Sequence, residues 1–116
     1  MIDIKKMLKP DLVLMPSVED LHQDHQTVAL EGLRAFKTTS ILAYEMPWNN
    51  LQFRNGAFVV VSENHCEQKV SAIACYKSQS ARPYSKSDYL RAQLRFRGTQ
   101  IAVNYAEAFE VVRCIL

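Results

Sequence analysis

Glycine and proline are both scarce in this chain, at three and four residues of 116. Their scarcity excludes a collagen-like or low-complexity architecture. Long hydrophobic runs are missing too. The longest, such as Leu12 to Pro16 and Ala57 to Val61, fall far short of the roughly 18 apolar residues that a membrane span needs. Met1 to Lys9 sets one acid and three lysines among a few apolar positions, so it lacks the continuous hydrophobic centre of a signal peptide. A cytoplasmic protein is expected. Charge of one sign is also lacking: the net charge is +2 and the pI is near 8.5, which gives no reason to expect a nucleic-acid partner. The one local basic group, Arg91, Arg95 and Arg97, covers part of a predicted helix and reads as a solvated face. Cysteine is limited to Cys66, Cys75 and Cys114. That odd count without Cys-x-x-Cys spacing predicts buried reduced thiols rather than disulfides or a zinc knuckle.

What is present is the mixture of an ordinary globular protein, 48% hydrophobic and 22% charged, which excludes intrinsic disorder. The length suits one domain, residues 1–116, and no repeat or linker divides it. Ile2 to Leu8 puts Ile4, Met7 and Leu8 on one side of an amphipathic helix that Lys9-Pro10-Asp11 stops. Leu12-Val13-Leu14-Met15 is a continuous apolar run, as in a strand covered on both faces. From about Asp24 to Phe36 the apolar positions Val28, Ala29, Leu33 and Phe36 recur at helical spacing. Ile41 to Met46 is a second strand, ended by the turn chemistry of Pro47-Trp48-Asn49-Asn50. Together these predict one right-handed, parallel βαβ unit. Phe58 to Val61 follows as a strand, and Glu63 to Lys77 as a helix with Ser62 at its N-cap and Cys66, Val70, Ile73 and Ala74 inward. Asp88 to about Arg97 is a helix that Gly98 closes. Ala108 to Leu116 has the β-branched content of a last strand. The expected fold is α/β with a mostly parallel sheet.

One segment concentrates chemistry: Asp20-Leu21-His22-Gln23-Asp24-His25. Two of the three histidines lie three apart with carboxylates interleaved, just after a predicted strand, where open α/β sheets bind ligands. The i, i+3 spacing lets both imidazoles share one side of a helical turn. Imidazole suits a first-row divalent ion, and a neighbouring carboxylate can fix its tautomer or act as a base. The same residues also fit a plainer reading, in which Asp20 or Asp24 caps the helix and the histidines are exposed in its first turn. Two histidines alone cannot fill a zinc site, which needs at least three protein ligands.

The run Lys9-Pro10-Asp11-Leu12-Val13-Leu14-Met15-Pro16-Ser17, followed by Asp20-x-His22-x-Asp24-His25, resembles the central motif of the PIG-L/LmbE-like zinc-dependent N-deacetylases. Later blocks agree in order: Ile41-Leu42-Ala43-Tyr44-Glu45, Lys69 through Tyr76-Lys77-Ser78-Gln79, Arg97-Gly98, and Tyr105-Ala106-Glu107-Ala108-Phe109-Glu110. The resemblance implies part of a Rossmann-like layer fold and zinc as the cofactor. It makes His25 a metal ligand, and His22 and Asp24 the candidate catalytic pair, with His22 beside the scissile amide as acid or oxyanion stabiliser. Asp20, Tyr105 and Glu107 fall at the substrate rim. The family's reaction uses zinc-activated water to release acetate from an N-acetylglucosamine-type substrate, the metal lowering the pKa of water and polarising the carbonyl.

One part of the pattern is missing. The family's other two zinc ligands and its general base lie in a His-Pro-Asp-Asp motif, which occurs nowhere in this chain. His65, the third histidine, has no neighbouring Asp pair and is expected at the surface. Zinc is therefore expected to be absent or weakly held. Three readings follow: a truncated, catalytically silent deacetylase-like domain; a half-site completed by another chain; and a module that binds N-acetyl sugars without hydrolysis. The strand from Leu12 to Met15, with no polar alternation and an open edge, also predicts association into a homodimer.

Overall fold

A computed structural model describes residues 1–116, and in it the apolar run after Pro10 becomes a strand, β1 (Leu12–Pro16). The amphipathic segment that follows is α2 (Gln23–Ala35), and it returns the chain to β2 (Ser40–Tyr44). β1 and β2 pair in parallel, from Leu12 opposite Ser40 to Pro16 opposite Tyr44. The expected βαβ unit is therefore present. Its core forms where one face of the two strands meets α2: Met15 and Ile41 pack with Ala35 and Phe36, and Val13 and Leu33 complete the cluster. Close approach is possible because residue 32 is glycine; a Cβ there would stand 2.9 Å from the Met15 sulfur.

The rest of the sheet departs from expectation. Its order is β1-β2-β4-β3, with β3 at Ala57–Val60 and β4 at Ala106–Arg113. β4 runs antiparallel to β2, Leu42 facing Val111 and Tyr44 facing Phe109. Beside β3, the Gly56 N–H donates to the Phe109 carbonyl and the Val61 N–H to the Tyr105 carbonyl. Partner numbers fall as β3 numbers rise, so this pairing is antiparallel as well. The sheet is mixed and mostly antiparallel, which corrects the mostly parallel sheet read from the sequence. The physical reason is visible in β4, where Glu107, Glu110 and Arg113 interrupt the apolar positions and are only partly covered. Strands of that kind leave part of one face wet, whereas parallel strands are covered on both. β1 is corrected in the same sense: Val13 and Met15 face the core, but Leu12 and Leu14 are exposed on an edge strand.

The chain divides into two compact units, Met1–Ala57 with Ala108–Leu116, and Phe58–Glu107. In the first, α1 (Ile2–Leu8) precedes β1 and buries none of its residues. Lys9 ends it in the left-handed region, at φ 45°. A groove of about 520 Å³ separates Ile2, Lys5, Lys6 and Lys9 from Arg34, Ala35, Thr38 and Thr39, so α1 lies beside the C-terminal end of α2.

The second unit holds α3 (Glu63–Ala74) and α4 (Ser87–Gln100), with short 3-10 turns at Lys77–Gln79 and Pro83–Ser85. Ser62 caps α3 as expected. Its hydroxyl accepts from the His65 N–H, and the His65 ring returns a bond to the Ser62 N–H, which closes a capping box. Gly98 does not end α4. It is buried inside the helix, and a Cβ would meet the Val103 carbonyl oxygen at 2.7 Å, because the chain folds back over it. Arg91, Arg95 and Arg97 are engaged rather than merely solvated: they bond Glu63, Asn104 and Gln100 respectively, and Arg97 also lies over the Phe96 ring. All three cysteines are free, but only Cys66 is buried; the other two are exposed. Burial, with the nearby Glu63 charge, pushes the Cys66 thiol pKa up. No helix is long and apolar enough to cross a membrane.

Candidate functional site

The loop that leaves β1 turns at once. Ser17 is buried, its Oγ donates to Glu110 Oε1 on β4 at 2.5 Å, and it also accepts from the Glu19 N–H. The Asp20 N–H closes the turn on the Ser17 carbonyl. An isolated antiparallel bridge between Asp20 and Asn50 then pins the loop to the segment after β2. Leu21 and Leu51 supply the flanking backbone bonds, to the carbonyls of Asn49 and Glu19.

Pinned this way, Asp20 is fully buried, and both of its oxygens are used. Oδ1 accepts from the His22 N–H at 2.8 Å, and Oδ2 lies 2.7 Å from His25 Nδ1. Asp20 also acts outward: burial and, secondarily, its charge raise the pKa of the Tyr44 hydroxyl. Neither acid caps α2. That position belongs to His22, whose Nδ1 accepts from the Asp24 N–H at 3.2 Å. Asp24 sits exposed in the first helical turn, where a carboxylate complements the positive end of the helix dipole. The His22 and His25 rings stack, with centroids 4.5 Å apart and planes 25° from parallel.

These bonds give the two imidazoles different tasks. His25 donates Nδ1–H to a buried carboxylate, so its Nε2 keeps a lone pair. That is the arrangement that orients a metal-binding histidine. His22 spends its Nδ1 lone pair on the helix cap, so the neutral ring carries its proton at Nε2 and can donate there. One ring is set up to ligate and the other to donate.

The structure thus brings Asp20, His22, Asp24 and His25 together within one loop and helix start. Tyr105 and Glu107 belong to the second unit and have their own partners. Glu107 pairs with Lys69 at 2.5 Å, and the Tyr105 carbonyl receives the Val61 N–H. Sequence reasoning saw Ser17, Tyr44 and Glu110 only as parts of matching blocks and gave none of them a role. Ser17 and Glu110 are 93 positions apart, and no local pattern links residues at that distance.

Whether zinc fits can be judged from the donors present. No group of three or more His, Cys, Asp or Glu side chains is placed to hold a metal ion. His25 offers one oriented nitrogen, while His22 and Asp20 are committed elsewhere. A catalytic zinc site takes three protein ligands, so the donor set of this chain does not fit zinc by itself.

No family model and no curated protein matches the chain. Solved structures do match, and what they share with this chain is the fold, in part the PIG-L/LmbE-like fold that the sequence resemblance implied. One match is the conserved protein TT1542 from Thermus thermophilus, with a TM-score of 0.79 and 22% identity, over 99% of this chain and 57% of that one. Another is teicoplanin deacetylase Orf2 in its zinc-inhibited form, with a TM-score of 0.72 and 22% identity, over 93% of this chain and 47% of the other. The chain therefore spans about half the length of the structures it matches. At this identity the likeness is one of fold.

Proposed function

We propose that this chain is a deacetylase-type domain carrying one metal-ligand position, His25, and that it does not hydrolyse N-acetyl substrates on its own. The observation that carries the reading is the buried Asp20 carboxylate holding His25 Nδ1, with no second and third ligand beside it. One oriented imidazole binds a divalent ion weakly and gives no adequate site for activating water. His22, with its Nε2 proton, is the group suited to support a substrate oxygen, and Asp24 remains the candidate acid–base partner at the same helix start. Tyr105 and Glu107 are proposed as rim residues on the strength of the sequence resemblance.

The test pairs two measurements on the purified chain: zinc retained after dialysis, and acetate released from N-acetylglucosamine conjugates. Substoichiometric zinc and no acetate above background are expected. Zinc-dependent acetate release that His25→Ala abolishes would overturn the proposal.

A second reading is favoured by the same contact. A carboxylate kept fully buried to orient a single histidine suits a half-site that another chain completes. Adding a polypeptide with a His-Pro-Asp-Asp motif should then produce tight zinc binding that His25→Ala removes.

A further inference from the structure

Two apolar surfaces of the first unit face solvent. One is on α1, where Met1, Ile4, Met7 and Leu8 recur at helical spacing along a single stripe. All four are exposed, Met7 at 75%, and the helix buries nothing. The side turned toward α2 instead carries Ile2, Lys5 and Lys6. The apolar stripe of this helix points outward. The other surface is the sheet face opposite α2. The register sets Leu14 beside Leu42 and Leu42 beside Val111, so these three form one row across β1, β2 and β4. Leu12 shares their face. Leu14 is 54% exposed, and Leu12 and Val111 are nearly as open.

The two surfaces match in size. A seven-residue helix is about 10 Å long, and three strands spaced at about 4.8 Å present a face of similar width. They cannot meet within one chain. α1 lies on the α2 side of the sheet, and only Lys9, Pro10 and Asp11 join it to β1.

We infer that the chain forms a twofold dimer in which α1 of each copy lies across the open sheet face of the other. Twofold symmetry makes the exchange reciprocal, so one contact is made twice. Half-exposed aliphatic side chains present about 50 Å² each, and the seven exposed residues, Met7 and Leu8 being more than half open, offer with the more covered Leu42 about 400 Å² per copy. At the apolar share usual for homodimer interfaces, about 65%, this corresponds to roughly 600 Å² per partner, the lower end of specific, stable interfaces. A dimer with micromolar affinity is expected. The inference does not rest on the metal reading, and the failure of one leaves the other standing.

The test is the solution mass of the full chain across a concentration series, by sedimentation or light scattering. The wild type should approach twice the 13.3 kDa chain mass at tens of micromolar. Met7→Lys and Leu14→Glu alter exposed positions, so each variant should keep its far-UV circular dichroism and become monomeric. An equimolar mixture of the two variants should regain part of the association, at higher concentration than the wild type needs, because one seat in the mixed dimer pairs a wild-type helix with a wild-type sheet face and the other sets the two introduced, opposite charges together. A wild type that stays monomeric overturns the inference. So does a dimer that survives Met7→Lys, which would point to pairing along the β1 edge. Two folded variants that stay monomeric when mixed overturn it as well. A monomeric wild type that is shifted only by a polypeptide completing the deacetylase-type fold would also overturn it, and would give the sheet face to that partner.

Discussion

The two units handle polar side chains in opposite ways. In the first, Ser17, Asp20 and Thr39 are buried, and the Ser17 and Asp20 side chains tie the site loop together: Ser17 reaches Glu110, and Asp20 reaches His22 and His25. In the second, the ion pairs Lys69–Glu107 and Arg91–Glu63 stay partly or largely exposed, where solvent and salt screen such pairs and their contribution is small. Burying an acid is costly unless it is bonded, and the first unit bears that cost at one loop. The cost makes sense when a histidine must be held in one orientation. The second unit uses its charges to fasten helices.

This contrast can be broken at its strongest point. Asp20→Ala removes the acceptor for the His22 N–H and for His25 Nδ1 together, and a hydrogen bond to a charged group contributes roughly 1.5–3 kcal/mol. A loss of about 3 kcal/mol is expected in urea denaturation. A loss too small to resolve would put Asp20 on a par with the surface pairs and erase the contrast. The second unit should respond less, even at its best-formed local feature. Ser62→Ala opens the capping box of α3 and should cost about 1 kcal/mol in the same measurement, without altering the His22 and His25 imidazole resonances in NMR spectra.

The smallest effect is expected at Glu63. The Arg91 hydrogen bond, mainly, holds its carboxyl below the ordinary value of 4.5. A depressed folded-state pKa contributes stability above the unfolded value, and that contribution is lost as pH falls through the folded value. Wild type and Glu63→Gln should therefore differ in melting temperature above pH 4.5 and converge below it. Because Glu63 is open to solvent, the gap should also shrink with added salt. A gap that widens on acidification would show that the pair does not act through charge.

The local parts of this design were legible in the sequence, and the tertiary parts were not. The β1–α2–β2 unit could be read because apolar runs and helical periodicity are local signals. Ser62 could be read because a cap lies next to the helix it starts. The direction of β4 could not, since a strand of eight residues carries no mark of which way its neighbour runs. Gly98 looked like a helix end because glycine often stands there, but its buried place in α4 is set by the returning chain at Val103 and Asn104. At the site, the spacing of His22 and His25 announced their proximity, which the ring stacking bears out. The cap went to His22 because Asp20, the better cap by residue type, is drawn inward to His25. Competition of that kind appears only once the loop has been pinned to Asn50.

Met15 and Gly32 have one more consequence. The space a Cβ at position 32 would need is occupied by the end of a flexible methionine, not by backbone, so the two positions share one volume. A chain with alanine at 32 remains buildable while residue 15 is a methionine that can swing aside. With isoleucine at 15, whose branched side chain is stiff at the first torsion, the same alanine would push α2 off the strand. Drift at these two sites is therefore ordered in time: residue 15 must stay pliable, or become smaller, before residue 32 can grow.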